Sequence, residues 1–179
     1  MNTYLPEKEK TMDILKTSID WARAELLSNG LFALFGAMFL VASLLFWSRG
    51  ETDMAKAFVF PMMIAGVLML ILGGGLFYGT WKSLTGFSTA FADDNARFIG
   101  LEVQRIDRTM SQYGTAVFNV IPLLITAAAL LIVFVNSPGW RAAFITVIIF
   151  LGLIMLIDSN ANARLERYKA DLVSATSSR

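Results

Sequence analysis

The segment Leu31–Trp47, LFALFGAMFLVASLLFW, decides the fold, because its 17 residues are apolar or small and none carries a charge. Three further segments share this character: Ala57–Tyr78, Ala116–Val135 and Ala142–Ile157. A helix needs about 20 mostly apolar residues to cross the roughly 30 Å of hydrocarbon in a bilayer. None of the four segments contains Asp, Glu, Lys or Arg, whereas a helix of a soluble protein normally has a polar face. The sequence therefore predicts an all-α membrane protein with four transmembrane helices.

The polar stretches around these segments divide the chain into five parts. We predict a cytoplasmic amphipathic helix at 1–28, a first transmembrane hairpin at 29–78, a cytoplasmic helical segment at 79–114, a second hairpin at 115–158, and a cytoplasmic C-terminal helix and tail at 159–179. The N-terminus does not resemble a cleavable signal peptide, because the first apolar segment is too long and lacks a small-residue cleavage site. That segment is therefore expected to remain in the protein as a span.

The 15 Lys and Arg residues are unequally shared between the two predicted sides of the membrane. The side of the termini holds 12 of them: Lys8, Lys10, Lys16, Arg23, Lys82, Arg97, Arg105, Arg108, Arg164, Arg167, Lys169 and Arg179. The other side holds Arg49, Lys56 and Arg141. Because positively charged loops stay in the cytoplasm, this predicts a multi-pass membrane protein with both termini cytoplasmic. The four tryptophans lie near the predicted boundaries, where such rings concentrate, and favour the same topology.

The composition excludes several kinds of chemistry. The chain has no cysteine and no histidine, which removes disulfides, thiol nucleophiles and the usual ligands of zinc and haem. We therefore expect no cofactor and no bound metal. The formal net charge of +1 provides no basic surface of the kind that nucleic acids require.

The two predicted hairpins show signs of an internal repeat. Residues 31–71 align with residues 117–157 at an offset of 86 without gaps, with ten identities in 41 positions. Shared apolar composition alone produces several such matches, so duplication and chance both stay open. Gly66 and Gly152 occupy equivalent positions in this alignment. We predict that they are paired sites of close approach between helices.

Each polar stretch carries apolar residues at three- and four-residue spacing, which is typical of one helix face. The four stripes are Met12, Leu15, Ile19, Ala22 and Leu26; Phe77, Trp81, Leu84, Ser88 and Phe91; Ile99, Val103, Ile106, Met110 and Tyr113; and Ala161, Leu165, Tyr168 and Leu172. We expect these helices to extend from the membrane and pack together. A helix lying flat on lipid usually has a face rich in Lys and Arg, whereas this side has 12 acidic and 12 basic residues. A docking surface for another protein is the alternative.

A dense polar cluster follows the fourth apolar segment, and its members are Asp158, Asn160, Asn162 and Arg164. One interpretation is an ion-coordinating mouth or a partner contact. The other, which we favour, is that these side chains satisfy polar groups where the chain leaves the membrane. In that case Asp158 would pair with Arg105 or Arg108.

Asn119 and Pro122 lie early in the third apolar segment. Proline frees a backbone carbonyl about one turn back, which neighbouring polar groups can satisfy. The functional interpretation is a gating kink. We favour a packed bend in which Asn119 makes an interhelical hydrogen bond.

The absence of charge inside the apolar segments limits the functions of this chain. Proton-coupled pumps and voltage sensors place ionisable side chains within the bilayer. An intramembrane hydrolase would need a nucleophile with its base, or paired aspartates, and these segments contain neither. The chain is therefore not expected to be an enzyme.

This architecture resembles the small polytopic inner-membrane immunity proteins that protect bacteria from pore-forming, membrane-depolarising toxins. Those proteins are typically short, with three or four spans, small loops and no catalytic residues. The resemblance covers the whole chain at the level of architecture only, and no motif or residue is carried over. It implies a non-enzymatic interaction protein of the bacterial inner membrane whose partners are the lipid bilayer and a membrane-inserting protein. The alternatives are a small oligomeric channel or transporter subunit and a membrane scaffold or signalling subunit, and a homo-oligomer stays open.

Overall fold

A computed structural model of the protein describes residues 7–177, and the side chains of residues 13–174. The elements in order are α1 (Glu7–Arg49), α2 (Asp53–Ala57), α3 (Val59–Asp93), α4 (Asn95–Thr115), a π-helical turn (Ala116–Val120), α5 (Ile121–Phe134) and α6 (Pro138–Ser177). Residues 7–177 contain no strand, so the predicted all-α fold is confirmed. The side chains of Lys8, Lys10, Met12 and Arg179, used in the predictions above, lie outside the described ones.

Four long helical stretches are apolar enough to cross a membrane, as the sequence predicted. They are Asp13–Arg49, Asp53–Asp93, Asn95–Phe134 and Pro138–Ser174, each 37–41 residues long. At 1.5 Å per residue each is about 55–60 Å long, roughly twice the thickness of the hydrocarbon. Each stretch therefore combines an apolar half that fits a membrane with a polar half that extends beyond it.

Short turns join these helices into antiparallel neighbours. The Thr52 hydroxyl accepts a hydrogen bond from the Ala55 N–H at 3.1 Å and caps α2. Asp94 separates α3 from α4 with an extended backbone, and its carboxylate accepts the Arg97 N–H at 2.9 Å. Such caps satisfy N–H groups that have no partner within the helix. Because the chain reverses at all three turns, the polar halves of the four long stretches lie at one end of the molecule.

Glycines allow α1 and α3 to pack closely along their apolar halves. A Cβ atom added at Gly66 would lie 2.8 Å from the Leu40 side chain and 2.9 Å from the Gly36 carbonyl oxygen. The prediction that Gly66 and Gly152 are paired sites of close approach is confirmed for Gly66 and wrong for Gly152, because no neighbouring side chain or helix lies within 4 Å of a Cβ added at Gly152. Gly152 in the second hairpin faces open space, so α5 and α6 do not approach each other closely at this glycine as α1 and α3 do at Gly66.

The apolar halves are mostly exposed on the surface of the protein. Only 11–22% of each apolar window is buried, although large exposed apolar areas are rare in soluble monomers. The few polar side chains in these halves are bonded. Ser43 donates to the Val59 carbonyl at 2.8 Å, and Asn29 donates to the Thr80 hydroxyl at 3.1 Å. This apolar surface is therefore suited to contact with the hydrocarbon of a bilayer.

The polar halves of α1, α3, α4 and α6 pack together around a hydrophobic core. We call this part, residues 13–28, 81–91, 98–113 and 161–172, the extension bundle. Its buried core residues are Ile14, Ala22, Phe87, Phe91, Phe98, Ile99, Ile106, Leu165, Tyr168 and Leu172. Phe98 meets Phe87 and Phe91 edge to face at 5.6 and 5.4 Å between ring centroids. The helix extensions thus bury their apolar faces against one another.

Two of the predicted stripes differ from the buried faces. In the part of α1 that belongs to the extension bundle, the buried residues are Ile14, Ser18, Ala22 and Ser28. The buried face therefore includes two serines and only Ala22 of the predicted stripe. On α3, Phe77 and Trp81 are 45% and 53% exposed. Phe77 belongs to the apolar segment, and Trp81 lies just beyond its end, a depth at which the amphipathic indole ring favours the membrane–water interface.

Candidate functional site

A buried hydrogen-bond network joins three helices inside the extension bundle. The Tyr168 hydroxyl on α6 lies 2.8 Å from the Ser18 hydroxyl on α1 and 3.1 Å from a Glu102 carboxylate oxygen on α4. All three side chains are buried. Ser18 also bonds the Ile14 carbonyl oxygen at 3.0 Å. The network fixes the positions of α1, α4 and α6 relative to one another, because each partner comes from a different helix.

An arginine and two aromatic rings continue this network towards the surface. Arg105 donates to both oxygens of Glu102, at 3.0 Å from Nε and 2.6 Å from Nη2. Its guanidinium also lies 4.6 Å from the centroid of the Trp21 ring. The other partner of Trp21 is Tyr168, stacked at 5.0 Å with an angle of 8° between the ring planes. The indole is therefore held by a cation–π contact and an aromatic stack.

The surroundings of this network keep its groups in defined protonation states. Burial, followed by the negative charge of Glu102, raises the pKa of Tyr168 well above its usual range. Burial alone would lower the pKa of Arg105, but the hydrogen bond and charge of Glu102 outweigh it and the pKa is raised. At neutral pH Tyr168 is thus a protonated donor, and Arg105 remains the charged partner of Glu102.

A second polar link connects α1 to α6 nearer the apolar halves. Arg164 Nη2 donates to Glu25 at 3.1 Å and to the Ser28 hydroxyl at 2.6 Å. Both side chains of the Arg164–Glu25 ion pair are largely shielded from solvent. Arg164, chosen from the sequence as a candidate interaction residue, therefore joins two helices within the protein.

A surface groove runs beside this link, between α1 and α6. Its volume is about 370 Å³, and its lining residues are Thr17, Asp20, Trp21, Arg164, Arg167, Tyr168 and Asp171. Two of its side chains have buried nitrogen atoms without a hydrogen-bond partner, Trp21 Nε1 and Arg164 Nε. The groove therefore combines charges of both signs with two unpaired donors.

The predicted pairing of Asp158 with Arg105 or Arg108 is wrong. Arg105 is engaged with Glu102, Arg108 is exposed, and Asp158 forms no ion pair with any described residue. Asp158 itself is half-buried at the end of the apolar half of α6.

The two asparagines of the same cluster bond within α6. The Asn160 side chain donates to the Leu156 carbonyl at 2.9 Å, and Asn162 donates to Glu166 at 2.8 Å. Asn160 thus bonds a backbone carbonyl one turn back and Asn162 a neighbouring side chain, so both amides are used within α6.

Asn119 and Pro122 form a local irregularity in the third long stretch. Asn119 lies in the π-helical turn, and its side chain donates to the Gly114 carbonyl at 2.8 Å. Pro122 follows this turn within the continuous helical stretch, and because proline has no N–H it interrupts the regular hydrogen-bond pattern there. The expected interhelical hydrogen bond of Asn119 is therefore wrong, because the side chain bonds within its own helical stretch. It satisfies a carbonyl near the π-helical turn, where the regular hydrogen-bond pattern changes.

Helix α5 presents most of its surface away from the rest of the protein. It packs on α6 and on the preceding π-helical turn, and makes no substantial contact with α1 or α3. Ala128 is its only fully buried residue. Leu123, Ala127, Leu130 and Phe134 are all exposed at four-, three- and four-residue spacing, with Leu123 at 69% and Phe134 at 79%. We call these four residues the α5 outer face.

Sequence patterns missed several of the residues, and most of the pairings, that build this site. Ser18 and Ser28 are buried although short polar residues normally indicate an exposed face. Trp21, Glu25 and Tyr168 find their partners on other helices, so no spacing along one helix identifies the pairs. Within the described residues, no group of three or more acidic side chains is arranged to hold a metal ion.

In comparisons with known proteins, no protein-family model, no curated protein and no solved structure matches this chain.

Proposed function

We propose that this chain is a non-enzymatic inner-membrane protein that binds another membrane-inserted polypeptide and acts as an immunity protein against a pore-forming toxin. The observation that carries the proposal is the exposed α5 outer face. A helix attached to its own protein along one side leaves the other side free to pack against a foreign helix. Its exposed residues follow the spacing by which one helix presents a continuous face to another.

The proposed orientation places the extension bundle in the cytoplasm. The excess of Lys and Arg at this end supports it, because positively charged segments stay on the cytoplasmic side. The opposite end has only short turns, at residues 50–52 and 135–137. A partner arriving from outside would therefore be met within the bilayer, at the apolar halves.

The side chains of the apolar halves support recognition over transport. They offer hydroxyls such as Ser43 and Thr146, which bond backbone carbonyls, and no charged group. A toxin helix that packs on the α5 outer face would be kept from joining the other helices of its pore. The extension bundle would serve as a rigid base that keeps α6, the support of α5, in place.

A protection assay tests this proposal. Sensitive bacteria that produce this chain would be challenged with the secreted, apolar-helix-rich protein encoded beside its gene, and membrane potential would be followed with a voltage-sensitive dye. We expect the potential to persist in producing cells and to collapse in cells without the chain. A gene neighbourhood that encodes no such protein, or equal collapse in both cells, contradicts the proposal.

Two variants connect protection to the α5 outer face. Ala127→Trp places a large ring on that face, whereas Ala37→Trp places the same ring on an exposed position of α1. We expect Ala127→Trp to abolish protection and Ala37→Trp to retain it, at equal amounts of inserted protein. Full protection by Ala127→Trp contradicts the assigned surface. Ion flux through liposomes containing only the purified chain would instead support a channel.

A further inference from the structure

The groove between α1 and α6 has features of a binding site that the proposed function does not use. One wall carries Trp21 and the other carries Arg164 and Tyr168. Arg164 lies seven residues beyond the end of the last apolar segment, a distance of about 10 Å along the helix. The groove continues from there away from the apolar half, so it lies outside the hydrocarbon and is open to water.

The groove has donors that lack acceptors. Among the described side chains, Trp21 Nε1 and Arg164 Nε are the two buried nitrogen or oxygen atoms without a hydrogen-bond partner. Both atoms belong to residues of this one groove. Buried polar groups in folded proteins are nearly always bonded, and these two groups can only donate. The group that would satisfy these two donors is therefore a hydrogen-bond acceptor, such as an oxygen of a phosphate or carboxylate.

The orientation of Arg164 is fixed before any ligand binds. Its Nη2 atom is held by Glu25 and Ser28 on the other helix, so the guanidinium has a defined orientation. Arg167, exposed one turn further along α6, adds a second positive charge at the rim. A site whose donors are already positioned loses less entropy on binding than one whose side chains must be ordered.

Two acidic residues at the rim narrow the class of ligand. Asp20 and Asp171 are exposed on opposite walls and balance the charges of the two arginines. A bare anion would be repelled by these carboxylates, whereas an anion that also carries an amine would be attracted by both sets of charges. We propose that the groove binds a small zwitterion, an oxyanion linked to an amine, with the oxyanion at Trp21, Arg164 and Arg167 and the amine at the acidic rim.

Phosphoethanolamine is a suitable probe, because it combines a phosphate with a primary amine and also occurs as a lipid headgroup. The full chain in detergent would be titrated with phosphoethanolamine, inorganic phosphate and chloride, and binding followed by thermal unfolding. We expect phosphoethanolamine to raise the unfolding temperature more than the other two ions at equal millimolar concentration. No shift with phosphoethanolamine together with no response to phosphatidylethanolamine in nanodiscs, or the same shift with inorganic phosphate, overturns the proposal.

Matched variants test the assigned residues. Trp21→Phe keeps a ring for the stack and removes the N–H, and its control is Trp140→Phe at the opposite end of the protein. Arg167→Gln removes the rim charge at an exposed position, and its control is Arg97→Gln. We expect each groove variant to weaken phosphoethanolamine binding about tenfold, in line with the loss of one charge-assisted hydrogen bond, and each control to bind normally. Normal binding by both groove variants overturns the assignment.

The same chemistry could reach the groove as a free solute or as a lipid headgroup, and nanodiscs separate these sources. Stabilisation by soluble phosphoethanolamine in lipid-free detergent supports a solute. A response confined to nanodiscs that contain phosphatidylethanolamine, compared with nanodiscs of phosphatidylglycerol, supports the lipid. The protection assay is independent of these measurements, so the binding site and the proposed function can fail separately.

Discussion

Replacing Tyr168 with phenylalanine tests whether the buried network stabilises the extension bundle. The change removes only the hydroxyl, which contacts Ser18 at 2.8 Å and Glu102 at 3.1 Å, and it keeps the ring that stacks on Trp21. A hydrogen bond to a charged group contributes about 1.5–3 kcal/mol. Glu102 keeps its bonds to Arg105, so the loss should stay within that range. The bundle should therefore open roughly 10- to 100-fold more often.

Hydrogen–deuterium exchange of the full chain in nanodiscs measures this opening directly. Amides of the extension bundle should exchange roughly 10- to 100-fold faster in Tyr168→Phe, because exchange follows the population of open states. Amides of the apolar halves should be unaffected. Tyr78→Phe is the matched control, because Tyr78 is 64% exposed and such surface changes have little effect. An unchanged exchange rate in Tyr168→Phe, or equal acceleration in the control, would refute the reasoning.

Three further measurements test other parts of the structure. Gly66→Ala should destabilise the protein by about 1–3 kcal/mol through overpacking, whereas Gly152→Ala should not. Thermal unfolding of the two variants measures this, and equal effects would contradict the difference in packing. Because the pKa of Tyr168 is raised in the folded state, its contribution to stability is present below the ordinary tyrosine pKa of 10.0 and declines as pH rises above it. Absorbance of tyrosinate should show that Tyr168 ionises near this pH only after denaturation; ionisation there in the folded protein would argue against a buried hydroxyl. Glu25→Ala should lower the free energy of unfolding by about 1–3 kcal/mol, because it leaves Arg164 without its charged partner, and Glu25→Gln should lower it less. Denaturant unfolding measures both, and a larger loss in Glu25→Gln would contradict this prediction.

The four long helices were predictable because their signal is one of composition. A run such as Leu31–Trp47 has no charge over 17 residues, and in hydrocarbon a helix satisfies every backbone hydrogen bond internally. The stripes on α4 and α6 were also predictable, since Ile99, Ile106, Leu165 and Leu172 are apolar residues that are buried together. In these cases a property of the local sequence is enough to decide the structure.

The site was less predictable because its contacts depend on which faces of different helices meet. Glu25 and Arg164 are 139 residues apart, and nothing in the local spacing of either residue indicates the other. Ser18 is buried because Tyr168 and Ile14 provide its hydrogen bonds, whereas a pattern of apolar residues treats a serine as exposed. Asp158 was assigned an arginine partner from charge alone, but Arg105 has a nearer carboxylate one turn away in Glu102.

The two hairpins share ten identities in 41 aligned positions but pack differently, and this difference bears on the proposed function. In the first hairpin Gly66 lets α3 approach α1 so closely that a methyl group would not fit. In the second, Gly152 faces open space and α5 contacts α6 along one side only. A duplicated hairpin could repeat the close pairing of the first, but the second leaves its outer helix available. If α5 is left exposed in order to bind a foreign helix, a larger side chain in the interface between α1 and α3 would impair folding. A larger side chain on the α5 outer face would impair only protection. Gly66→Ala and Ala127→Trp should therefore separate stability from function, and a variant set in which both lose only stability would argue against recognition through α5.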